Sequence, residues 1–123
     1  MKLLFTGASG FLGAHLKPLL QIVSQVKTMG LMDEDDYKVN LATTIPDIQD
    51  EFDVVLHAAG KAHMVPKTES EKKAFFDINF QGTVNLCKAL GNSGVPKAFI
   101  FVSTVAVYGL EFGENITEEH PLN

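Results

Sequence analysis

The sequence predicts an α/β chain: one doubly wound, mostly parallel sheet of about five strands, incomplete at its C-terminal side, in a single domain over residues 1–123. Three observations carry this reading. Short apolar runs alternate with segments of helical spacing. The first run hands over to its helix at a turn bearing Gly7, Gly10 and Gly13. The run over 53–60 ends in small residues, at the strand end where open α/β sheets meet their ligands.

The elements follow in order. Residues 2–7, KLLFTG, are a short apolar run closed by glycine, the mark of a buried strand. Phe11, Leu12, His15, Leu16, Leu19, Leu20 and Val23 then recur at helical spacing, and Pro18 is expected to kink that helix or end it early. QVKTMGLMD is a second strand, which Gly30 weakens. DEDD, residues 33–36, is a solvated turn, and YKVNLA, 37–42, is a third short strand. Residues 43–52 are expected to turn into a short helix, with Pro46 near its first turn. DVVLHAAG, 53–60, is a strand. The long segment 68–94 is a helix opened by a capping box of Thr68 and Glu71. Its inward face is expected to hold Phe75, Phe76, Asn79, Val84, Leu86, Cys87 and Leu90, and Gly91 or Gly94 ends it. Residues 98–109 are a fifth strand, followed by a polar, loop-like stretch.

Composition narrows the function. A net charge of −5, with ten lysines and no arginine, argues against a nucleic-acid surface. Cys87 is the one cysteine, so no internal disulfide forms, and packing within its helix is its expected role. The opening MKLLFTGASG has too short an apolar run for a signal peptide, and no stretch approaches a membrane span. The expectation is a soluble, cytoplasmic chain.

Glycine costs backbone entropy, so three of them at one turn need a reason. At a strand-turn-helix the first glycine permits the tight turn. The second lets backbone approach a pyrophosphate, and the third lets the helix pack closely. The first helical N–H groups and the helix dipole then favour the anion. The spacing here is G-x-x-G-x-x-G rather than G-x-G-x-x-G. Its position still points to a bound dinucleotide and a Rossmann-type sheet. An acidic residue is expected about 20 positions on, to accept from the ribose hydroxyls. Asp33 is the candidate, with Asp35 or Asp36 open if the strand ends later. An acid there repels a 2′-phosphate and no arginine is present to hold one, so NAD is expected over NADP.

Three further stretches, HAAGKAH, DINFQGTVNL and STVAVYG, complete a resemblance over essentially the whole chain. Together with TGASGFLG they resemble the extended short-chain dehydrogenase/reductases. Within these the likeness is to the NAD-dependent epimerase/dehydratase branch, which acts on nucleotide-diphosphate sugars. The resemblance implies that Gly7, Gly10 and Gly13, with the backbone of Phe11 and Leu12, hold the pyrophosphate. It implies that Asn40 and Leu41 lie beside the adenine, with Asn40 where the family commonly has Asp. Ala58, Ala59 and Gly60 match the small residues that line the adenosine and its phosphates. His57 is expected to be structural, and Lys61 and His63 to lie at the rim. The spacing of the histidines suits no metal. Asn79 resembles the family's helix-kinking or active-site asparagine. Thr104 stands where the family has its catalytic Ser or Thr, which orients the reacting sugar hydroxyl. Ser103 is expected on the nicotinamide side.

The family's base is a tyrosine with a lysine four residues on, where the cation lowers the phenol pKa. Residue 112 after Tyr108 is Phe, and residue 41 after Tyr37 is Leu, so neither tyrosine fits. That element belongs some twenty residues after VYG in the family, by the same resemblance. The expectation is therefore an N-terminal fragment, the cofactor part of an epimerase or dehydratase that works through a 4-keto sugar. Alone it is expected to be inactive and to self-associate through bared apolar strand residues. A nucleotide-sugar 4-ketoreductase, a non-catalytic NAD-binding module and a flavodoxin-like module are the alternatives.

Overall fold

A computed structural model describes residues 1–60, 65–104, 108–110 and 112–122. Five strands form one parallel sheet in the order β3-β2-β1-β4-β5. They are β1 Lys2–Thr6, β2 Gln25–Gly30, β3 Tyr37–Lys38, β4 Val54–His57 and β5 Ala98–Phe101. The chain grows outward from β1 on one side through β2 and β3, then returns to the other side at β4. The strand order therefore reverses between β1 and β4, the point where open α/β sheets carry ligands. In register, Thr6 lies opposite Met29 and His57, and His57 opposite Phe101.

Alternation along the strands divides the core between two faces. Leu3, Phe5 and Leu56 point to one face, where Leu16 and Leu20 of helix α1 (Phe11–Val23) cover them. Leu4, Met29 and Val55 point to the other and meet Leu86, Ala89 and Leu90 of helix α3 (Gly82–Ser93), with Ile48 and Phe52. Helices thus lie on both faces, and the doubly wound parallel sheet stands as expected.

Helix α1 runs through Pro18 to Val23, so the proline does not end it early. Proline lacks an N–H and removes one rung, and the helix bridges that loss while Pro18 sits exposed. β3 is shorter than expected because Asn40 turns the chain. Its side-chain Oδ1 accepts the Ala42 N–H at 3.1 Å, and its carbonyl accepts from Thr43 and Thr44. The helix expected over 43–52 does not form. Ile45 precedes a proline and is driven from helical backbone. The segment instead holds on by Ile48 and Phe52, and by Asp50, which accepts from Lys2, Lys27 and Tyr37. These donors hold the Asp50 carboxyl below its usual range, Lys2 foremost.

The long helix begins as expected: the Thr68 hydroxyl accepts the Glu71 N–H at 3.1 Å, and the Glu71 carboxylate takes the Thr68 N–H. It is not one α-helix. α2 (Glu69–Phe76) passes into a π-helical turn, Asp77–Gln81, before α3. A π turn holds more residues than an α turn, so the inward face is reset. Leu86 and Leu90 are buried as expected, but Phe76, Asn79 and Cys87 are exposed. Gly82, Asn85 and Ala89 take inward positions instead. Gly94, at φ +137°, closes α3. The fifth strand ends at Phe101; residues 105–107 of its expected span lie outside the described residues. All four residues of β5 are exposed. Among the described residues no helix is long and apolar enough to cross a membrane.

Candidate functional site

A cleft of about 630 Å³ opens at the C-terminal ends of β1, β2 and β4. Its size falls in the ordinary range for a small-molecule site. Gly7 and Gly10 form one wall, the end of β2 with Gly30, Leu31 and Met32 a second, and Ala58–Gly60 a third. Asn40 and Leu41 lie along the β2 side, and Asp77 and Ile78 of the π turn close it.

The glycines divide the labour. Gly7 sits at φ +77°, and a Cβ there would lie 2.6 Å from the Ala59 nitrogen and 2.7 Å from the Ala58 carbonyl carbon. This residue lets the turn after β1 pass against the end of β4. A Cβ on Gly13 would overlap the Ala8 backbone, so the third glycine lets α1 fold onto the turn itself. Gly10 is different. It is the N-cap of α1 at φ −78°, and the nearest atom to its would-be Cβ is the Gly7 oxygen at 3.4 Å. Neither backbone strain nor internal packing requires a bare residue there. Gly10 is nonetheless one of the residues that line the cleft. No side chain caps this helix end and its first turn carries no acid, which leaves its N–H groups and dipole to an incoming anion. Phe11 and Leu12 open α1 at this point. Their side chains are exposed, and Phe11 stacks edge-on against His15.

The segment at Asn40 and Leu41 is fixed from beneath. Asn85, 6% exposed, donates through Nδ2 to the Leu41 carbonyl at 2.6 Å, and Gln81 Nε2 donates to Asn85 Oδ1 at 2.9 Å. Sequence reasoning missed Asn85. A buried amide in mid-helix needs partners, and here the partner is the loop that borders the cleft. On the β4 side the Ala58 N–H donates to the Thr6 carbonyl and the Ala59 N–H to the Thr6 hydroxyl, both at 3.1 Å. A Cβ on Gly60 would lie 2.9 Å from Asn79 Oδ1, so the asparagine of the π turn and the small-residue strand end meet closely. His57 is buried at the floor between Thr6 and Thr83, the structural setting expected for it, and burial pushes its pKa down.

The structure does not draw every expected residue into the cleft. Asp33 is exposed, pairs with Lys38 and is not among the lining residues. Asp36 is turned back to β2, accepting the Thr28 N–H at 2.8 Å, and Asp35 accepts the Met32 N–H at 3.0 Å. Asp35 also lies over Gly30, its Oδ2 2.6 Å from the place of a Cβ there. Ser103 and Thr104 are exposed just beyond β5, outside the cleft lining. Lys61 and His63 lie outside the described residues. Ser9 and the end of β2 join the lining without having been singled out from sequence. Among the described residues no cluster of His, Cys, Asp and Glu could hold a metal.

Residues 3–123 match the family described as the NAD dependent epimerase/dehydratase family. The chain is 35% identical to a UDP-glucose 4-epimerase of Vibrio cholerae, over 87% of this chain and 36% of that protein. It is 33% identical to a GDP-6-deoxy-D-mannose reductase of Pseudomonas aeruginosa, over 99% of this chain and 41% of that one. The chain therefore spans well under half the length of these relatives. Among solved structures it superposes on RMD from Pseudomonas aeruginosa complexed with NADPH, with a TM-score of 0.73 and 28% identity, over 99% of this chain and 42% of that one.

Proposed function

Because the chain belongs to the NAD dependent epimerase/dehydratase family, we propose that its cleft holds NAD, as the cofactor part of an enzyme that epimerises a nucleotide-diphosphate sugar through a 4-keto intermediate. The observation that carries the reading is Gly10. Its backbone conformation is open to any residue and its surroundings admit a side chain, yet it is bare at the lining of the cleft. A ligand lying against the backbone supplies the missing reason.

In this reading the pyrophosphate rests on the turn from Gly7 to Gly13, against the first N–H groups of α1. Asn40 and Leu41, held by Asn85, flank the adenine. Ala58, Ala59 and Gly60 let the adenosine and phosphates pass close to β4. Asn79 and Ser103 complete the cofactor's surroundings. Bound NAD supplies the two-electron acceptor for the sugar carbon. Thr104 would hydrogen-bond the reacting sugar hydroxyl and orient it. NAD is favoured over NADP by the absence of arginine and by the Asp35 carboxylate over Gly30 at the end of β2, which disfavours a 2′-phosphate.

Replacing Gly10 with Ala tests the reading. The expected result is a loss of NAD affinity of about tenfold or more, from steric exclusion at the pyrophosphate, with little change in melting temperature. Unchanged affinity by calorimetric titration sinks it. A nucleotide-sugar 4-ketoreductase is the second reading, supported by the likeness to the GDP-6-deoxy-D-mannose reductase. Titration with NADP beside NAD separates the two cofactor preferences.

A further inference from the structure

A chain of hydrogen bonds crosses the floor of the cleft through His57, and the direction of each bond follows from its far end. The Asn79 backbone carbonyl can only accept. The Thr83 hydroxyl, 2.9 Å from it, gives its single proton there. Thr83 Oγ1 is thereby the acceptor for His57 Nε2 at 2.9 Å, so Nε2 carries the imidazole proton. Nδ1 of the neutral ring is then bare and accepts from the Thr6 hydroxyl at 2.6 Å. The Thr6 oxygen in turn accepts the Ala59 backbone N–H at 3.1 Å. Along this path each proton meets one lone pair, and only one tautomer of the histidine satisfies it.

The surroundings favour the neutral ring. His57 is 1% exposed. The groups that meet it, Thr6 from β1, Phe99 and Phe101 from β5 and Thr83 from α3, carry no charge. Burial among them pushes its pKa below the usual value. The two ends of the path are not arbitrary points in the core. One is the backbone of Ala59 in the small-residue wall. The other is the carbonyl of Asn79 in the π turn, whose side chain abuts Gly60 across the same opening.

We propose that His57 is a positioning residue of the cleft: through Thr6 and Thr83 it sets the Ala58–Gly60 wall against the π turn, and so fixes the width of the nucleotide site. This rests on the reading of the cleft as an NAD site. A histidine that merely fills the core would stabilise the fold without tuning the affinity of the site.

The test uses the full chain with Thr83→Val, which removes the hydroxyl and keeps the shape, and Thr83→Ser, which keeps the hydroxyl. Two readouts are taken: NAD affinity by titration, and the imidazole nitrogen resonances of His57 in nitrogen-15-labelled protein. The unaltered chain is expected to show a single neutral tautomer with the proton on Nε2. Thr83→Val is expected to weaken NAD binding about tenfold and to lose that fixed tautomer, the cost of one unpaired buried polar group. Thr83→Ser is expected to restore both. If Thr83→Val lowers the melting temperature and leaves NAD affinity as it was, the role is structural and the proposal is overturned. A charged ring or a proton on Nδ1 in the unaltered chain at neutral pH overturns the path itself. If the unaltered chain binds no NAD, the reading of the cleft falls and takes the positioning role with it, while the tautomer still decides the path.

Discussion

Two of the connections between strands, β1 to β2 and β3 to β4, hold on to the sheet by opposite means. Between β1 and β2 the chain forms a regular helix, α1, of which Gly13 is the one buried residue. Leu19, Ile22 and Val23 on that helix are 61%, 78% and 70% exposed. Between β3 and β4 the chain forms no helix or strand, yet it sinks Ile48 and Phe52 into the core and ties Asp50 to Lys2, Lys27 and Tyr37. Regular backbone and firm attachment are therefore separate properties. A helix satisfies its own backbone and can rest lightly on a sheet. An irregular segment has to draw both its apolar burial and its polar partners from elsewhere.

Three substitutions press on that difference. Phe52→Ala removes a side chain that is 5% exposed, in contact with the β1 and α3 core. It is expected to destabilise the chain by about 3–5 kcal/mol in urea denaturation, the largest effect of the three. A loss below about 1 kcal/mol would mean that the irregular connection is no better anchored than the helix. Pro18→Ala acts on the lightly held helix in the other direction. It restores the backbone N–H that the proline lacks, and a gain of about 1–3 kcal/mol is expected by the same measurement. No gain would show that the helix already compensates for the proline.

The smallest effect, and the one with a signature in pH, is expected from Asp50→Asn. The folded chain holds the Asp50 carboxyl below its ordinary value of 3.8, chiefly through Lys2, then Tyr37 and Lys27. A depressed pKa gives stability that is complete above the unfolded value and is lost as the pH falls through the folded one. The melting temperatures of the unaltered chain and the Asp50→Asn variant should thus differ at neutral pH and converge in acid below 3.8. Curves that stay parallel from neutral pH into strong acid would show that the carboxylate charge contributes nothing to the attachment.

The same contrast explains what could be read from the sequence. β1, its glycine turn, α1 and the capping box of α2 depend on neighbours within a few positions, and spacing reveals those. The partners of Asp50 do not: Lys2 is 48 positions away and Lys27 is 23. A segment stabilised by such remote partners looks like any polar stretch with a few apolar residues, so residues 43–52 read, mistakenly, as a short helix. The inward face of the long helix fails for another reason. Counting at helical spacing assumes one period throughout, and the π turn at Asp77–Gln81 breaks it, which is why Cys87 emerges exposed while Asn85 goes in. At the site, the residues that require bare backbone, Gly7 and Gly13, were legible from their spacing. Asn85, whose contact with Leu41 spans 44 positions, was not.

That π turn also changes what a deletion would mean. In most exposed helix ends, losing one residue shortens the chain and little else. Between Asp77 and Gln81 it would remove the surplus residue and let the two helices fuse into one continuous spiral. Because the wide turn had absorbed that residue, what lies downstream would keep its direction relative to what precedes it, whereas a deletion within regular α2 would rotate the downstream part by about 100°, a single residue's worth of winding. It is that deletion in the regular helix which would swing Leu86 and Leu90 away from Leu4 and Val55 and take the amide of Asn85 from the Leu41 carbonyl. The five residues act as a keyed coupling between two shafts: the cleft is cut on one side of the key and the core is seated on the other.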